Sequence, residues 1–184
     1  AICGSGNAAR NLIMVSLGTG IGGGIIINNK IYEGKGSAGE IGHFSIDMNG
    51  RECPCGMKGC FEQYASAAAL VSSAEKAAAQ NVDSVLYRLY SDNKNKLNGK
   101  LFFKAVADGC DVAKSVLDKY IKYLSVGLSG IISIFDPDMI VLSGGITNVG
   151  DALLTPLKAA VHSDTEITVS KLKGDAGTIG AALL

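Results

Sequence analysis

Three cysteines and a histidine are concentrated in one short stretch of the chain. The sequence has only five cysteines, and Cys53, Cys55 and Cys60 fall close together. His43 lies upstream of them and completes the pattern H-x9-C-x-C-x4-C. Three thiolates and one imidazole are a usual ligand set for structural zinc, which takes four ligands in tetrahedral geometry. The spacing therefore predicts a zinc-binding loop over residues 43–60.

Other uses of these thiols compete with the zinc interpretation. A disulfide framework is disfavoured because five is an odd number and because Cys53 and Cys55 are too close together to bridge each other easily. A redox pair would need C-x-x-C, whereas the nearest pair here is C-x-C. The remaining alternative is that the loop cysteines bind nothing and His43 is an ordinary polar residue. Metal binding would give the loop folding energy that its few apolar residues cannot supply.

A glycine-rich stretch lies earlier in the chain. Residues 18–23 read GTGIGG and follow the apolar run 11–17, which predicts a strand. The dinucleotide motif G-x-G-x-x-G requires a helix after the glycines, because the pyrophosphate rests on the helix N-terminus. Here GIIINN follows, which is typical of a strand and a hairpin turn, so a Rossmann site is rejected. The turn, with Thr19 at its tip, either directs N–H groups at a phosphate or binds nothing.

The elements that must position these residues indicate a mixed α/β domain. The expected strands are 11–17, two within 24–34 that turn at Asn28-Asn29, one within 136–145, and 166–170. The expected helices are 62–80, two regions separated by the polar segment 91–100, 111–135, about 150–161, and 174–184. Residues 34–60 are expected to form an irregular loop. The order β-β-β, helices, β-α-β-α predicts helices packed on a sheet.

Charge and hydropathy exclude several classes of protein. Lys+Arg and Asp+Glu number 17 each, so there is no basic field for nucleic acid or for a membrane surface. No uninterrupted apolar run approaches the ~20 residues of a membrane span, and no basic flank precedes an apolar stretch at the N-terminus. The chain is therefore expected to be cytoplasmic, with neither a membrane nor nucleic acid as a partner.

Three segments together resemble the ROK family, named for repressors, open reading frames and kinases. They read LGTGIGGGIIINNKIYEGKGSAGEIGHFSID, CPCGMKGCFEQYAS and IVLSGGI, and the resemblance continues to the final GDAGTIGAALL. The combination of E-x-G-H with C-x-C-G-x-x-G-C-x-E is highly specific. The family contains bacterial glucokinases, other sugar kinases and sugar-responsive repressors. The resemblance implies the actin-like ATPase (ribonuclease H-like) fold, which has two α/β lobes with a cleft between them.

The resemblance also implies nucleotide contacts. Gly18, Thr19 and Gly20 would form the ATP phosphate loop, and Gly144 and Gly145 would lie against the adenosine. In the full-length protein, ATP would be used with Mg²⁺. A phosphate-binding role for residues 18–20 would exclude the alternative that the glycine turn binds nothing.

Sugar contacts are implied for Glu40, His43 and Glu62. Carboxylates accept hydrogen bonds from vicinal hydroxyls, which suits a polyol. If one imidazole nitrogen of His43 ligates zinc, the other can reach the sugar or a further acceptor. Without the resemblance, Glu62 would be read as an ordinary acid of a first helical turn and Glu40 as a solvated loop charge.

The resemblance assigns residues 1–184 to the C-terminal lobe. Kinases of the family carry D-x-G-x-T and an Asn-Asp pair in an N-terminal lobe, and the aspartate of the pair removes the hydroxyl proton. Neither motif occurs in this chain. We therefore expect the N-terminal lobe to be absent from this sequence, and the chain alone to be inactive.

Two full-length proteins are consistent with these motifs. One is a homodimeric ATP-dependent hexose kinase, glucokinase-like, which binds sugar and ATP. The alternative is the effector-binding domain of a ROK-type sugar-responsive repressor. The intact GTGIGGG favours the kinase, because repressors of the family need not keep ATP contacts. A zinc-binding interaction module without a small ligand is a third, weaker interpretation.

Overall fold

A five-stranded sheet organises the part of the chain that the structure describes, residues 5–6 and 9–172 of a computed structural model. The strands are β1 (Leu12–Leu17), β2 (Ile21–Ile27), β3 (Lys30–Ile31), β4 (Met139–Ser143) and β5 (Glu166–Val169). Their order across the sheet is β3-β2-β1-β4-β5. β1 pairs antiparallel with β2 and parallel with β4, which in turn pairs parallel with β5. The expected mixed α/β class is confirmed.

Helices follow the first hairpin and separate β4 from β5. They are α1 (Glu62–Ala65), α2 (Ala67–Gln80), α3 (Val85–Asp92), α4 (Gly99–Ala107), α5 (Asp111–Phe135) and α6 (Asp151–Ala160). Two 3₁₀ segments, Ile41–His43 and Gly145–Val149, lie next to predicted site residues. The predicted helix 174–184 lies outside the described residues. Within them, no helix is long and apolar enough to cross a bilayer.

The main core lies between the helices and one face of the sheet. Side chains alternate across a strand, and Ile13, Val15 and Leu17 of β1 all point into this core. The long helix α5 forms its centre and packs against α1, α2, α4 and α6. On the other face of the sheet, Leu12 and Val141 belong to a smaller apolar cluster.

Strand β2 is longer than its sequence pattern predicts. Asn28 and Asn29 adopt φ values of 52° and 63° and form the expected tight turn into β3. β2, however, begins at Ile21 rather than at residue 24, since Gly22 and Gly23 pair with β1. Main-chain pairing needs no side chains, so a glycine-rich sequence can continue a strand where its composition suggests a loop.

The expected continuous helix 62–80 is wrong. Ser66 has extended backbone, with φ −70° and ψ 159°, and separates α1 from α2. Its Oγ accepts a hydrogen bond from the Ala69 N–H at 3.0 Å, which is the N-cap arrangement that serine favours. Asn98 similarly caps α4 by accepting from the Leu101 N–H at 2.9 Å. Helix capping therefore overrides an alanine-rich composition.

Candidate functional site

Two glycine segments meet at one edge of the sheet. β1 and β4 are parallel neighbours, so the residues after each strand emerge on the same side, where α/β proteins commonly bind ligands. Residues 18–20, the glycine turn, follow β1, and Gly144 follows β4. Gly144 has φ +110°, and a Cβ there would collide with the main chain of Leu17. The predicted adenosine segment therefore lies against the end of β1, which leads directly into the predicted phosphate turn.

The glycine turn is closed by its own main chain. The Gly18 N–H donates to the Gly20 carbonyl at 3.0 Å, and the Ala68 N–H of α2 donates to the Gly18 carbonyl at 3.3 Å. Thr19 is exposed at the tip, as the sequence predicts. Thr19 is thus exposed on a turn that is held in place by its own main chain and by α2.

Glu62 begins α1 and lies against the glycine turn. Its Oε2 accepts a hydrogen bond from the Ile21 N–H at 3.3 Å. A Cβ built on Gly20 would lie 2.5 Å from the same oxygen. The side chain of Glu62 is only 17% exposed. Glycine at position 20 therefore leaves room for this carboxylate, which sequence reasoning missed because the two residues are distant along the chain.

His43 lies between the two predicted sugar-binding acids. Its Nδ1 is 3.8 Å from Glu62 Oε1, and its Nε2 is 3.8 Å from Glu40 Oε2. Both distances are too long for a direct hydrogen bond, so His43 lies beside both acids without being hydrogen-bonded to either. Glu40 is largely exposed, whereas His43 is half-buried. The structure thus brings together all three residues that were assigned to the sugar.

The four predicted metal ligands also come together. The ligand atoms of His43, Cys53, Cys55 and Cys60, the Cys/His cluster, all lie within 4.8 Å of one another. Cys55 Sγ is 3.5 Å from Cys60 Sγ, and Cys53 Sγ is 3.7 Å from His43 Nδ1. A tetrahedral site with Zn–S near ~2.3 Å has ligand–ligand distances of about 3.8 Å. The donor set and its spacing therefore fit zinc.

The thiols of this cluster have opposite environments. Burial raises the pKa of Cys60 to about 12. Hydrogen bonding at the main chain of Met57, followed by that at the Cys53 side chain, lowers the pKa of the exposed Cys55 thiol. A thiol as buried as Cys60 loses its proton readily only beside a positive charge, which a coordinated metal ion supplies.

The loop is fastened to α1 through Arg51 and Tyr64. The Arg51 N–H donates to Tyr64 Oη at 2.7 Å, and the guanidinium lies over the tyrosine ring at 4.5 Å from its centroid. Tyr64 Oη in turn donates to Asp47 Oδ2 at 3.3 Å. Sequence reasoning missed these residues, because neither belongs to the metal pattern nor to a periodic apolar face.

A polar groove of about 300 Å³ runs between the glycine turn and Glu62. Thr19 and Glu62 line it together, and Arg51 of the 43–60 loop and Lys76 of α2 add positive charge. A residue predicted to face a phosphate and one predicted to face a sugar therefore share one solvent-filled space.

The sequence matches the ROK family over residues 1–184. Glucokinase from Streptomyces coelicolor is 35% identical over 97% of this chain and 60% of that enzyme. The xylose repressor of Bacillus subtilis is 34% identical over 83% of this chain and 36% of that protein. The chain belongs to the ROK family, and it spans about three-fifths of the length of this glucokinase.

The solved structures show the same fold. A ROK family glucokinase from Streptomyces griseus, in complex with glucose and AMPPNP, superposes with a TM-score of 0.88 at 32% identity. The match covers 97% of this chain and 61% of that enzyme. The mixed sheet and its helices are therefore those of ROK kinases, which belong to the actin-like ATPase class.

Proposed function

We propose that this chain is the C-terminal lobe of an ATP-dependent hexose kinase related to glucokinases. The observation that carries the proposal is the hydrogen bond from the Ile21 N–H, at the end of the glycine turn, to Glu62. A kinase must hold its two reactants in line and next to each other, which can lower the barrier by ~7–11 kcal/mol. In this chain, the turn assigned to the ATP phosphates is adjacent to Glu62, which is assigned to the sugar.

Each residue of the site has a defined task in this proposal. Glu40 and Glu62 accept hydrogen bonds from sugar hydroxyls, and His43 Nε2 faces the same space. The N–H groups and the Thr19 hydroxyl of the glycine turn hold the ATP phosphates, while Gly144 and Gly145 let the adenosine approach the main chain. We expect the protein to act in the cytoplasm, where ATP is available.

The Cys/His cluster would hold a structural zinc ion. His43 Nδ1 faces the thiols, so its Nε2 stays directed at Glu40 and the sugar. When bound there, zinc would supply folding energy to a loop with little apolar material. The loop then fixes His43 and leads directly into Glu62, so metal binding prepares the sugar site without taking part in phosphoryl transfer.

The general base is proposed to come from another lobe. Glu40 and Glu62 grip hydroxyls, and phosphoryl transfer also needs a group that accepts the reacting proton and acids that hold Mg²⁺. We therefore expect the 184-residue chain to show no hexokinase activity, and the full-length protein to phosphorylate a hexose with Mg-ATP. A coupled assay with glucose, N-acetylglucosamine, mannose and fructose tests this. Turnover by the isolated chain would mean that the base is misassigned.

A sugar-responsive repressor is the second candidate, because a xylose repressor is nearly as similar to the chain as the glucokinase. In that case the same acids would bind an inducer sugar, and the glycine turn would have no nucleotide. Full-length protein that binds sugar, consumes no ATP and releases DNA on sugar binding would establish this candidate.

A further inference from the structure

The side chain of Gln63 lies between the Cys/His cluster and the sugar-binding acid Glu62. Its Nε2 donates to Cys53 Sγ at 3.6 Å and to Glu62 Oε1 at 3.4 Å. Cys53 Sγ, while it carries its proton, itself donates to Glu62 Oε1 at 3.6 Å. The three atoms form a compact triangle with one nitrogen and two acceptors. None of the roles assigned above uses this side chain.

Cys53 and Glu62 are unfavourable neighbours once Cys53 ligates a metal. A cysteine that ligates a metal carries no proton, so its Sγ and the carboxylate oxygen are then both hydrogen-bond acceptors. Cys53 is buried and the Glu62 side chain is only 17% exposed, so water cannot freely separate the two groups. Negative charges this close in a poorly solvated place repel each other. A donor between them removes the conflict.

A primary amide meets this requirement. Its nitrogen carries two N–H groups and no charge, which matches two acceptors on two sides. The opposite orientation of the amide would place a third acceptor in the triangle. The main chain of Gln63 is fixed independently, because its N–H donates to the Cys60 carbonyl at 2.9 Å and its carbonyl accepts from Arg51 Nη1 at 2.5 Å.

We propose that Gln63 is a positioning residue that couples the metal-binding cysteines to the sugar-binding carboxylate. By occupying Oε1 of Glu62, it leaves Oε2 on the Ile21 N–H and keeps the carboxylate from swinging onto the metal ligands. By donating to Cys53 Sγ, it stabilises the thiolate. The inference rests on the zinc and sugar sites proposed above and connects them through one side chain.

Cobalt replacement of zinc in the full-length protein tests the contact. Gln63→Leu keeps nearly the same size and removes both donors, and Gln80→Leu, an exposed position at the end of α2, is the matched control. We expect the thiolate-to-cobalt charge-transfer band to move to longer wavelength in Gln63→Leu only, because an N–H donor lowers the energy of the sulfur lone pair. Zinc affinity, measured by competition with a chelator, should fall roughly 10-fold, the lower end for residues that support metal ligands.

Sugar binding supplies the second readout. Calorimetry with the hexose that the wild-type protein phosphorylates should show weaker binding for Gln63→Leu, of the same order as the loss of zinc affinity, and no change for Gln80→Leu. Gln63→Glu, which adds a third acceptor, should lose more of both affinities. Far-ultraviolet circular dichroism identifies any variant that has not folded. If Gln63→Leu does not fold, the affinities of Gln63→Glu test the role of Gln63 instead.

The outcomes separate this inference from the function on which it rests. An unchanged cobalt band and unchanged affinities in a folded Gln63→Leu would overturn the inference alone. A shifted band with wild-type sugar affinity would overturn the coupling. Wild-type protein that binds no cobalt would overturn both the zinc site and the role of Gln63. Wild-type protein that binds cobalt but no hexose would overturn the proposed function, while the band would still decide the contact with Cys53.

Discussion

At the scale of single residues, Glu62 is held by groups from three separate parts of the chain. Ile21 donates to one carboxylate oxygen, Gln63 donates to the other, and His43 stands 3.8 Å away. The position of this acid is therefore set by the β1–β2 hairpin, by α1 and by the metal loop together. Small changes in any of them should be measurable as changes in sugar binding.

Gly20→Ala should weaken sugar binding, because the new Cβ would lie 2.5 Å from Glu62 Oε2 and would displace the carboxylate. We expect a loss of roughly 10-fold or more, equivalent to the one good hydrogen bond to a charged group (about 1.5–3 kcal/mol) that Glu62 would no longer make. Gly22→Ala is the control, since a Cβ there meets nothing within 4 Å. Calorimetry of both full-length variants decides the matter, and equal affinities would contradict the contact.

Cys55→Ser should remove the metal and weaken sugar binding, although Cys55 is not among the residues assigned to the sugar. The loss of a ligand should be at least as severe as the 10–100-fold cost of disturbing the residues that support one. Met48→Ser, in the same loop and 83% exposed, is the control. Elemental analysis and calorimetry measure the two effects. Full zinc content in Cys55→Ser, or a metal-free wild-type protein with reactive thiols, would refute the site.

The residues that could be predicted are those whose spacing along the chain carries the chemistry. The four predicted metal ligands, His43, Cys53, Cys55 and Cys60, lie in one loop. Their types and intervals alone indicated a shared metal ion, and the structure places them together. The close approach of Glu62 to position 20, by contrast, joins two residues that are far apart along the chain. No local pattern could have indicated it.

At the scale of secondary structure, α5 fixes the position of α1 through one close contact. A Cβ on Gly127 would collide with the ring of Phe61, the residue that precedes Glu62. Gly127→Ala should therefore destabilise the protein by about 1–3 kcal/mol through overpacking. Gly130→Ala, one turn later on the same helix, would place its Cβ at an ordinary 3.7 Å from Phe44 and should stabilise the helix by roughly 0.5–1 kcal/mol. Urea denaturation of both variants measures the difference, and equal effects would contradict it.

A hydrogen bond that joins α5 to α1 should make the free energy of unfolding decrease at alkaline pH. Tyr120 Oη is buried and donates to the Ala65 carbonyl at 2.9 Å, and burial raises its pKa. The folded state therefore favours the neutral phenol, so this contribution is complete below the unfolded pKa of about 10 and is lost as the pH rises above it. Tyr120→Phe should be less stable at neutral pH, by about 1–3 kcal/mol for the unpaired carbonyl, but should lose less stability between pH ~8 and ~11. Urea denaturation at the two pH values measures this. An equal loss of unfolding free energy in the wild type and in Tyr120→Phe would refute the role of Tyr120.

Composition predicted the class of most elements but not where they are interrupted. The run from Glu62 to Gln80 contains neither glycine nor proline, yet Ser66 ends one helix and caps the next. The cap brings Glu62 to the glycine turn, since α2 can then donate the Ala68 N–H to Gly18. A serine can occupy a helix interior or cap a helix, and only the tertiary contacts of α1 select between the two.

At the scale of the whole molecule, the site depends on a sheet order that no local pattern shows. β1 and β4 are adjacent and parallel although more than a hundred residues separate them, as in the pairing of Leu12 with Met139. This pairing places both glycine segments at one edge. The resemblance to the ROK family predicted that both glycine segments contact ATP, whereas periodicity gave only strands and helices, and neither gave the order of the strands.

The outer face of α5 is a candidate interface for the homodimer that is expected of the full-length protein. Tyr123, Val126 and Ile134 follow one another at helical spacing and are 36%, 54% and 73% exposed. The Tyr123 ring packs on Tyr64 of α1, with centroids 4.6 Å apart. Contiguous exposed apolar rows are typical of interfaces, and a two-fold axis lets one row serve both subunits.

Val126→Lys should therefore shift the full-length protein towards monomer, because a charge in the centre of such an interface loses its hydration without gaining a partner. Val82→Lys is the matched control, since Val82 is 57% exposed and lies in the turn that follows α2 rather than on α5. Multi-angle light scattering over a concentration series should show dimer for wild type and Val82→Lys and a raised dissociation constant for Val126→Lys. A monomeric wild-type protein, or two variants that behave alike, would exclude this face. Association of the isolated chain but not of the full-length protein would identify surface that another lobe covers.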